Sequence, residues 1–265
     1  MEIKLSSLIL CLSLAAAALN SCVEDAAYQT FEPPKDEVPP GPVFYRLGTP
    51  VTYPTGIPGL SSICLNEKGD GFYAAYDKGK LYEIGLDGTV KGIVPFESSH
   101  DWEGVTVDRS DGTVYLCEER EWAVYKLNKA RNGVTLVAQI DVEGGENNRG
   151  FEGIASAPGI LYLANQDKPK RIFVYSLSES KVISTMDISF AKYLSDIYYD
   201  NTDGSLWITD SKRRTLTNIK TDGTVIGEYD ISFVAKPEGF CMDPVRKQFW
   251  FVCDQTGNIH SISYE

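Results

Sequence analysis

Three copies of a Glu-Gly pair place carboxylates at matching points of the sequence. The best-preserved copy lies in residues 100–108, where Glu103 and the glycine after it precede a Val-Thr-Val run. The pair returns at Glu152 and at Glu238, and a degenerate fourth copy carries Asp196. Glutamate and glycine are both depleted from β-strands. Their repeated use before apolar runs therefore indicates a position that needs a carboxylate beside a residue without a side chain.

Carboxylates that converge repel one another unless they are protonated, paired with basic residues or joined by a cation. A hard cation such as Ca²⁺ accepts about six to eight oxygen ligands in irregular geometry. Ca²⁺ is therefore the candidate cofactor, and its predicted ligands are Glu103, Glu152, Asp196 and Glu238. The alternative interpretation is structural, with each glutamate capping backbone N–H groups of a neighbouring repeat and each glycine letting strands converge.

The elements that must position these residues form a repeat of about 43 residues. Alignment on the Glu-Gly pair gives spacings of 42, 49, 43 and 43 residues between Ser61, Glu103, Glu152, Ser195 and Glu238. Each unit contains about four short apolar or aromatic runs separated by turn dipeptides such as Asp-Gly, and helix signals are nearly absent. This pattern predicts an all-β fold, namely a β-propeller of five four-stranded blades.

The ends of the chain predict how the propeller closes. The last repeat stops at Glu265 with only three strands, and a spare strand lies at residues 43–53. If this N-terminal strand supplies the missing outer strand, the two termini join to close the ring and an open sheet edge is avoided. Six blades are the alternative, if residues 43–60 contribute more than one strand.

Antiparallel connectivity predicts which face of the propeller carries the chemistry. The start of each first strand and the end of each second strand should emerge on the same face, around a central channel. The second strands end in acidic residues, namely Asp77, Glu118, Glu119, Asp167, Asp210 and Asp254. Basic residues follow these ends, namely Lys78, Arg120, Lys168, Lys170, Arg171, Lys212, Arg213 and Arg214. They form either a solvated rim that balances the acids or a site for an anionic ligand.

We predict a ligand-binding site on this channel face. Its members are His100, Trp102, Glu103, Glu119, Arg120, Glu152, Asp210, Glu238 and Asp254. His100 has no counterpart in the other repeats, so it and Trp102 are expected at the channel mouth, together with Phe151. The aspartates that end the first strands are expected on the opposite face as turn residues, namely Asp108, Asp200 and Asp243.

The first 42 residues are predicted to lie outside the folded domain. Residues 1–21 combine a short basic start with an apolar run too short to span a bilayer, which is typical of a signal peptide. The Leu-Asn-Ser-Cys sequence that ends at Cys22 resembles the lipobox of bacterial lipoproteins, so Cys22 is the predicted lipidation site. An ordinary signal peptide with a coincidental cysteine is the alternative. Residues 22–42 are acidic and proline-rich and predict a tether, followed by a single propeller domain at 43–265.

Composition narrows the classes of function. The formal net charge of −12 argues against binding to nucleic acid and against direct contact with anionic lipids. The chain lacks the GxSxG, P-loop, GxGxxG and HExxH signatures, and its only histidines are His100 and His260. Four cysteines of the domain lie in apolar strand patterns and are expected to be buried free thiols, with a bridge between the last two as the alternative: Cys64, Cys117, Cys241 and Cys253.

Four motifs resemble the SdiA-regulated family of bacterial β-propellers over about residues 60–265. They are Asp-Trp-Glu-Gly-Val at 101–105, Cys-Glu-Glu-Arg at 117–120, Phe-Glu-Gly-Ile at 151–154 and Pro-Glu-Gly-Phe at 237–240. The resemblance implies an exported or envelope-associated propeller, and the family includes a calcium-regulated branch that has been compared with propeller phytases. This chain departs from the pattern in the first and fourth repeats, where Ser61-Ser62 and Ser195-Asp196 replace Glu-Gly.

Two functional hypotheses follow. The first is a non-enzymatic, lipid-anchored module of the bacterial cell envelope, placed at the outer membrane or the cell surface. It would bind an anionic small molecule or an envelope protein on the channel face, with Ca²⁺ at the mouth, and would contact the membrane only through its lipid. The second is a calcium-dependent phosphoester or lactone hydrolase, in which one of Glu103, Glu152 and Glu238 would activate water.

Overall fold

The computed structural model describes residues 45–96, 98–146 and 148–265, and every regular element in these ranges is a β-strand. The strands form five four-stranded antiparallel sheets arranged as the blades of a propeller. The first strands of neighbouring blades contact one another around the central channel. The predicted all-β, five-bladed fold is therefore confirmed, and the six-bladed alternative is wrong.

The twenty strands follow the repeat that the sequence predicts. The strand that precedes the first blade is β1 (Val51–Tyr53). Blade one consists of β2 (Leu60–Leu65), β3 (Gly71–Tyr76), β4 (Lys80–Gly85) and β5 (Val90–Ile93). Blade two consists of β6 (Trp102–Val107), β7 (Val114–Glu118), β8 (Ala123–Leu127) and β9 (Val134–Gln139). Blade three consists of β10 (Phe151–Ala157), β11 (Ile160–Asn165), β12 (Arg171–Ser176) and β13 (Lys181–Asp187). Blade four consists of β14 (Asp196–Tyr199), β15 (Leu206–Asp210), β16 (Thr215–Ile219) and β17 (Val225–Asp230). Blade five contains β18 (Pro237–Asp243), β19 (Gln248–Cys253) and β20 (Ile259–Ser263).

The N-terminal strand closes the ring. β1 pairs with β20 in antiparallel register, with Val51 opposite Ser261, and so becomes the outer strand of blade five. The pairing continues toward the termini, because the backbone N–H of Arg46 donates to Glu265 O at 2.9 Å and that of Glu265 donates to Arg46 O at 3.0 Å. The predicted closure is confirmed.

The hydrophobic core lies between the blades rather than within them. One cluster joins Tyr73 and Leu81 of blade one to Trp102 and Leu116 of blade two. The aromatic residues that recur in the second strands are all buried in such clusters, namely Tyr73, Tyr115, Tyr162, Trp207 and Trp250. Each large ring removes much apolar surface from water and thereby stabilises the contact between two sheets. The aromatic repeat is therefore a packing feature.

The four cysteines that the structure describes are buried free thiols, as predicted. Cys241 lies opposite Trp250 on the neighbouring strand, whereas Cys253 lies opposite Pro237. The two cysteines are thus staggered by four residues along the hairpin, too far apart for a disulfide. The alternative of a bridge between them is wrong.

The predicted signal peptide, the lipidation site Cys22 and the tether of residues 22–42 lie outside the described residues. Within the part of the chain that the structure describes, no helix is long and apolar enough to cross a membrane.

Candidate functional site

A polar cavity of about 440 Å³ opens at one end of the channel, where the first strands begin and the second strands end. Seven acidic residues line it, namely Asp77, Asp101, Glu103, Glu119, Glu152, Glu238 and Asp254. Three basic residues, Lys78, Arg120 and Lys236, share the lining with Ser61, Asn148 and Gln166. The face that the strand connectivity predicted therefore gathers these residues, with a formal excess of four negative charges.

A β-bulge explains how a glutamate can stand at the start of an inner strand. In blade two, Trp102 pairs with Glu118 and Gly104 pairs with Cys117, so Glu103 is an extra residue without a partner. Glu152, Glu238 and Ser61 are the extra residues of the corresponding bulges in blades three, five and one. A bulge re-aims a side chain and interrupts pairing. Four equivalent bulges thus turn Ser61 and the three glutamates into the cavity.

The glycines after these glutamates let the inner strands approach one another closely. A Cβ atom on Gly153 would lie 2.7 Å from Cα of Asp196 in the next blade. A Cβ atom on Gly239 would likewise lie 2.7 Å from Cα of Ser62. Such distances leave no room for a side chain, so glycine is required where the strands converge on the channel. The structural interpretation in which each glycine lets the strands converge is therefore confirmed.

Asp196 does not line the cavity, and its predicted place among the metal ligands is corrected. Its Oδ2 accepts hydrogen bonds from the backbone N–H of Phe240 at 2.8 Å and from the Ser62 hydroxyl at 3.2 Å. Its Oδ1 accepts from the N–H of Ile197 at 2.8 Å. The side chain is buried among these donors, where it joins blade four to blades five and one. Burial raises the pKa of Asp196 well above its usual value.

The densest group of carboxylates is Asp101, Glu103 and Glu119, whose oxygens can all lie within 4.8 Å of one another. Glu152 adjoins this triad through a side-chain contact with Glu119, and its Oε1 accepts a hydrogen bond of 2.6 Å from Gln166. Of the predicted ligands, Glu103, Glu152 and Glu238 thus share the cavity, but only Glu103 belongs to the triad. Our sequence-based ligand set did not include Asp101. Its position just before β6, two residues ahead of Glu103, was the available signal.

Burial sets the electrostatics of the cavity. It raises the pKa of Glu103 well above its usual value, and the charges of Asp101 and Glu119 raise it further. The pKa of Glu152 is also raised well above its usual value, by burial first and then by Glu103 and Glu238. The raised pKa values show that Glu103 and Glu152 have too few cationic partners to balance their charges.

Lys236 and Arg120 neutralise part of the acidic charge. Lys236 Nζ lies 2.6 Å from Asp254 Oδ2 and 3.1 Å from Glu238 Oε1. Arg120 Nη2 lies 2.6 Å from Asp101 Oδ2. Glu238 is only 7% exposed, and its Oε2 accepts no hydrogen bond from the residues that the structure describes. The nearby Ser195 hydroxyl donates instead to Ser211 Oγ at 2.6 Å. Oδ1 of Asp77, another residue of the lining, likewise accepts no hydrogen bond, so among the described residues two buried carboxylate oxygens remain unpaired at the cavity.

Three residues of the predicted site lie elsewhere. Trp102 is 0% exposed and packs in the core between blades one and two, because it points to the opposite side of β6 from Glu103. His100 stacks on Trp102 and Tyr125, with ring centroids 4.8 and 4.5 Å away. Asp210 accepts backbone hydrogen bonds from Lys192 and three other residues and thereby fixes neighbouring loops.

The expected position of His100 and Trp102 at the channel mouth is therefore corrected. Phe151, which was expected beside them, is likewise buried, in the core between blades two and three.

The predicted basic rim divides into two groups. Lys78 and Arg120 line the cavity. Others form ion pairs outside its lining, such as Arg171 with Asp187 and Arg213 with Glu228, both at 2.6 Å.

The three aspartates predicted to shape turns on the opposite face have that role in the structure. Asp108 and Asp200 accept hydrogen bonds from the backbone N–H groups two residues later, as turn residues do. Asp243 accepts from the N–H groups of Val245 and Arg246 in the same manner. The prediction that these three aspartates shape turns is confirmed.

The fold and the cavity define a five-bladed β-propeller with an acidic channel mouth. Residues 52–243 match the model of the SdiA-regulated family, and the chain belongs to that family. No curated protein sequence matches the chain.

Solved structures show the same fold. Glutaminyl cyclase of Myxococcus xanthus is 11% identical, with a TM-score of 0.65 over 83% of this chain and 96% of that one. A gluconolactonase of Xanthomonas campestris is 12% identical, with a TM-score of 0.54 over 77% and 71% of the two chains. A streptogramin B lyase is 20% identical, with a TM-score of 0.51 over 83% and 72%. At these identities, the similarity extends to the fold alone.

Proposed function

We propose that this propeller is a binding module that holds Ca²⁺ in the channel-mouth cavity. The observation that carries the proposal is the triad of Asp101, Glu103 and Glu119, whose oxygens can lie within 4.8 Å of one another. The donors are all oxygen atoms, which suit a hard cation better than zinc or copper. The excess of acidic groups and the unpaired Oε2 of Glu238 support the same conclusion.

Several features favour Ca²⁺ over Mg²⁺. Mg²⁺ requires near-ideal octahedral geometry, whereas Ca²⁺ accepts about six to eight oxygens in irregular arrangements. The triad combines a bulged strand residue, Glu103, with two residues from adjoining loops, which is an irregular donor set. Glu152 and water can complete the shell in a cavity of about 440 Å³.

Isothermal titration with Ca²⁺ and Mg²⁺ tests the proposal. We expect Ca²⁺ to bind at one site and to raise the melting temperature, because a ligand that binds only the folded state stabilises it. Glu103→Gln should weaken Ca²⁺ binding by about tenfold or more, which corresponds to about 1.4 kcal/mol. Glu179→Gln is the matched control, because Glu179 is exposed and pairs only with exposed Lys181. Unchanged melting temperatures at millimolar Ca²⁺ would exclude the site.

A calcium-dependent hydrolase of phosphate esters or lactones is the second candidate. The observation that favours it is the unpaired Oε2 of Glu238, which lies outside the triad and whose pKa is raised by burial, since a general base works best when its pKa lies near the working pH. The bound cation would polarise the substrate, while Glu238 would take a proton from water. Turnover of a panel of phosphate esters and lactones by the unmodified protein, lost in Glu103→Gln, would support this candidate. Equal turnover by both proteins would reject it.

We also propose that the chain is exported and anchored to the outer membrane through a lipid on Cys22. The apolar leader, the lipobox-like sequence and the acidic, proline-rich segment that follows support this placement. Mass spectrometry of the mature protein should find a diacylated cysteine at its N-terminus. Cys22→Ala should release the protein into the soluble fraction. A mature N-terminus at another residue would contradict the anchor.

A further inference from the structure

We infer that the channel-mouth cavity takes a small oxyanion together with its cation, and that Arg120 couples the two. The inference rests on the proposed function, because it supposes that a divalent cation binds the triad of Asp101, Glu103 and Glu119. It adds the class of the second ligand, a carboxylate or a phosphate monoester, and names the residue that recognises it.

The argument begins with the ion pair between Arg120 and Asp101. Arg120 Nη2 lies 2.6 Å from Asp101 Oδ2, and Asp101 is also a member of the triad. A divalent cation at the triad would therefore compete with Arg120 for the same carboxylate. The cation would also bring its two positive charges close to the guanidinium group of Arg120. At the same time it would withdraw the Asp101 carboxylate that balances that group.

The ion pairs of Lys236, another basic residue of the cavity, do not involve the triad. Lys236 contacts two carboxylates, Asp254 and Glu238, which are not members of the triad. It keeps both partners when the triad is occupied. Arg120 is the basic cavity residue whose ion-pair partner belongs to the triad. The side chain of Arg120 is 60% exposed, whereas that of Asp101 is 7% exposed. Arg120 can therefore turn toward an incoming ligand, while Asp101 stays with the cation.

The charges of the cavity are also arranged by depth. Glu119, Glu152 and Glu238 are buried, whereas Lys78 is exposed and Arg120 is largely so. A cation bound at the triad leaves two basic groups at the opening of the cavity. The planar guanidinium group of Arg120 suits a carboxylate or phosphate, which it can bind through two parallel hydrogen bonds. An oxyanion there would contact Arg120 on one side and the cation on the other.

This arrangement predicts positive coupling between the two ligands. The anion relieves the repulsion between the cation and Arg120, so each ligand should strengthen the binding of the other by the same factor. Coupling of about fivefold or more lies in the usual range for linked sites. Without an anion, Arg120 opposes the cation. Its removal should then strengthen cation binding while it abolishes the coupling.

The experiment is a calorimetric titration of the full protein with Ca²⁺, alone and with phenyl phosphate or acetate in excess. We expect either anion to tighten Ca²⁺ binding by about fivefold or more in the unmodified protein. Arg120→Gln should bind Ca²⁺ more tightly than the unmodified protein when no anion is present, and neither anion should change its affinity. Arg213→Gln is the matched control, since it removes an arginine that pairs with Glu228 outside the cavity lining. It should behave like the unmodified protein.

The outcomes separate the two claims. If the unmodified protein binds no Ca²⁺, the proposed function fails and the inference fails with it. If Ca²⁺ binds and neither anion changes its affinity, the inference alone is wrong. If Arg120→Gln keeps the full anion effect, the role of Arg120 is wrong. If phenyl phosphate tightens Ca²⁺ binding and acetate does not, the anion site is assigned to phosphate monoesters. The reverse result would assign it to carboxylates.

Discussion

The backbone N–H of Phe240 donates a hydrogen bond of 2.8 Å to Oδ2 of Asp196, a residue of the preceding blade. Inner strands of neighbouring blades do not pair with each other in the described sheets. This side chain therefore supplies a polar link that the sheets do not. The same oxygen accepts from Ser62, so a single carboxylate connects three of the five blades around the channel.

Removal of this carboxylate should destabilise the propeller. Asp196→Ala leaves the N–H of Phe240 and the hydroxyl of Ser62 buried without their acceptor. The loss of a buried partner costs about 1–3 kcal/mol of the free energy of unfolding. Urea denaturation of both proteins at pH 7 measures the difference. A change below about 0.5 kcal/mol, which is typical of surface substitutions, would contradict the structural role.

Stability should also depend on pH through Asp196. Its pKa in the folded state is raised by burial, so the folded protein keeps a proton that the unfolded chain loses above about pH 3.9. The stability that this proton confers is fully present below the unfolded pKa and is lost as pH rises through the folded pKa.

Comparison with Asp196→Asn isolates this effect, because the asparagine variant cannot titrate at this position. The free energy of unfolding of the unmodified protein should fall relative to that of Asp196→Asn as pH rises from 4 to 8. Urea titrations at three pH values measure the difference. A constant difference would show that Asp196 titrates alike in both states.

The closest approach of the inner strands predicts a second stability effect. Gly153→Ala would place a Cβ atom 2.7 Å from the backbone of Asp196. The strands would have to separate, and overpacking of this kind costs about 1–3 kcal/mol. Gly92→Ala is the matched control, because nothing lies within 4 Å of a Cβ atom at that position. Thermal unfolding should distinguish the two variants. Equal melting temperatures would show that the channel has room to expand.

One buried thiol should differ from the others in its titration. Burial raises the pKa of Cys253, but the nearby side chains of His260 and Thr256 outweigh this effect and lower the pKa to about 6. Burial raises the pKa of Cys64 to about 12, and it raises the pKa values of Cys117 and Cys241 well above normal. The difference in thiolate absorbance between the unmodified protein and Cys253→Ser should therefore titrate near pH 6. The same absorbance should shift to higher pH in His260→Gln.

The sequence predicts the architecture well because its signals are local and repeated. Ser61 and the three glutamates occupy equivalent bulges, which is why one alignment gives both the blade count and the cavity face. The turn roles of Asp108 and Asp243 also depend only on nearby residues. Features of this kind need no knowledge of how the blades meet.

The errors concern side-chain direction and distant contacts. Trp102 stands between Asp101 and Glu103, so strand alternation sends it into the core, and the half-buried ring of His100 stacks against it. The prediction that placed His100, Trp102 and Glu103 together on the channel face ignored this alternation. The donors to Asp196 from other blades lie 134 and 44 residues away along the chain. A repeat pattern cannot reveal contacts of that separation.

The pairing of Val51 with Ser261 has a consequence for synthesis. Among the propeller strands, β1 is synthesised first, whereas its partner β20 is the last to leave the ribosome. Blades one to four can form during translation, but β1 must wait with unpaired backbone groups until β20 appears. Exposed strand edges promote association between chains. Loss of β20 would therefore leave β1 and β19 with unpaired edges, so nascent chains and chains truncated before β20 should be the species most prone to aggregate.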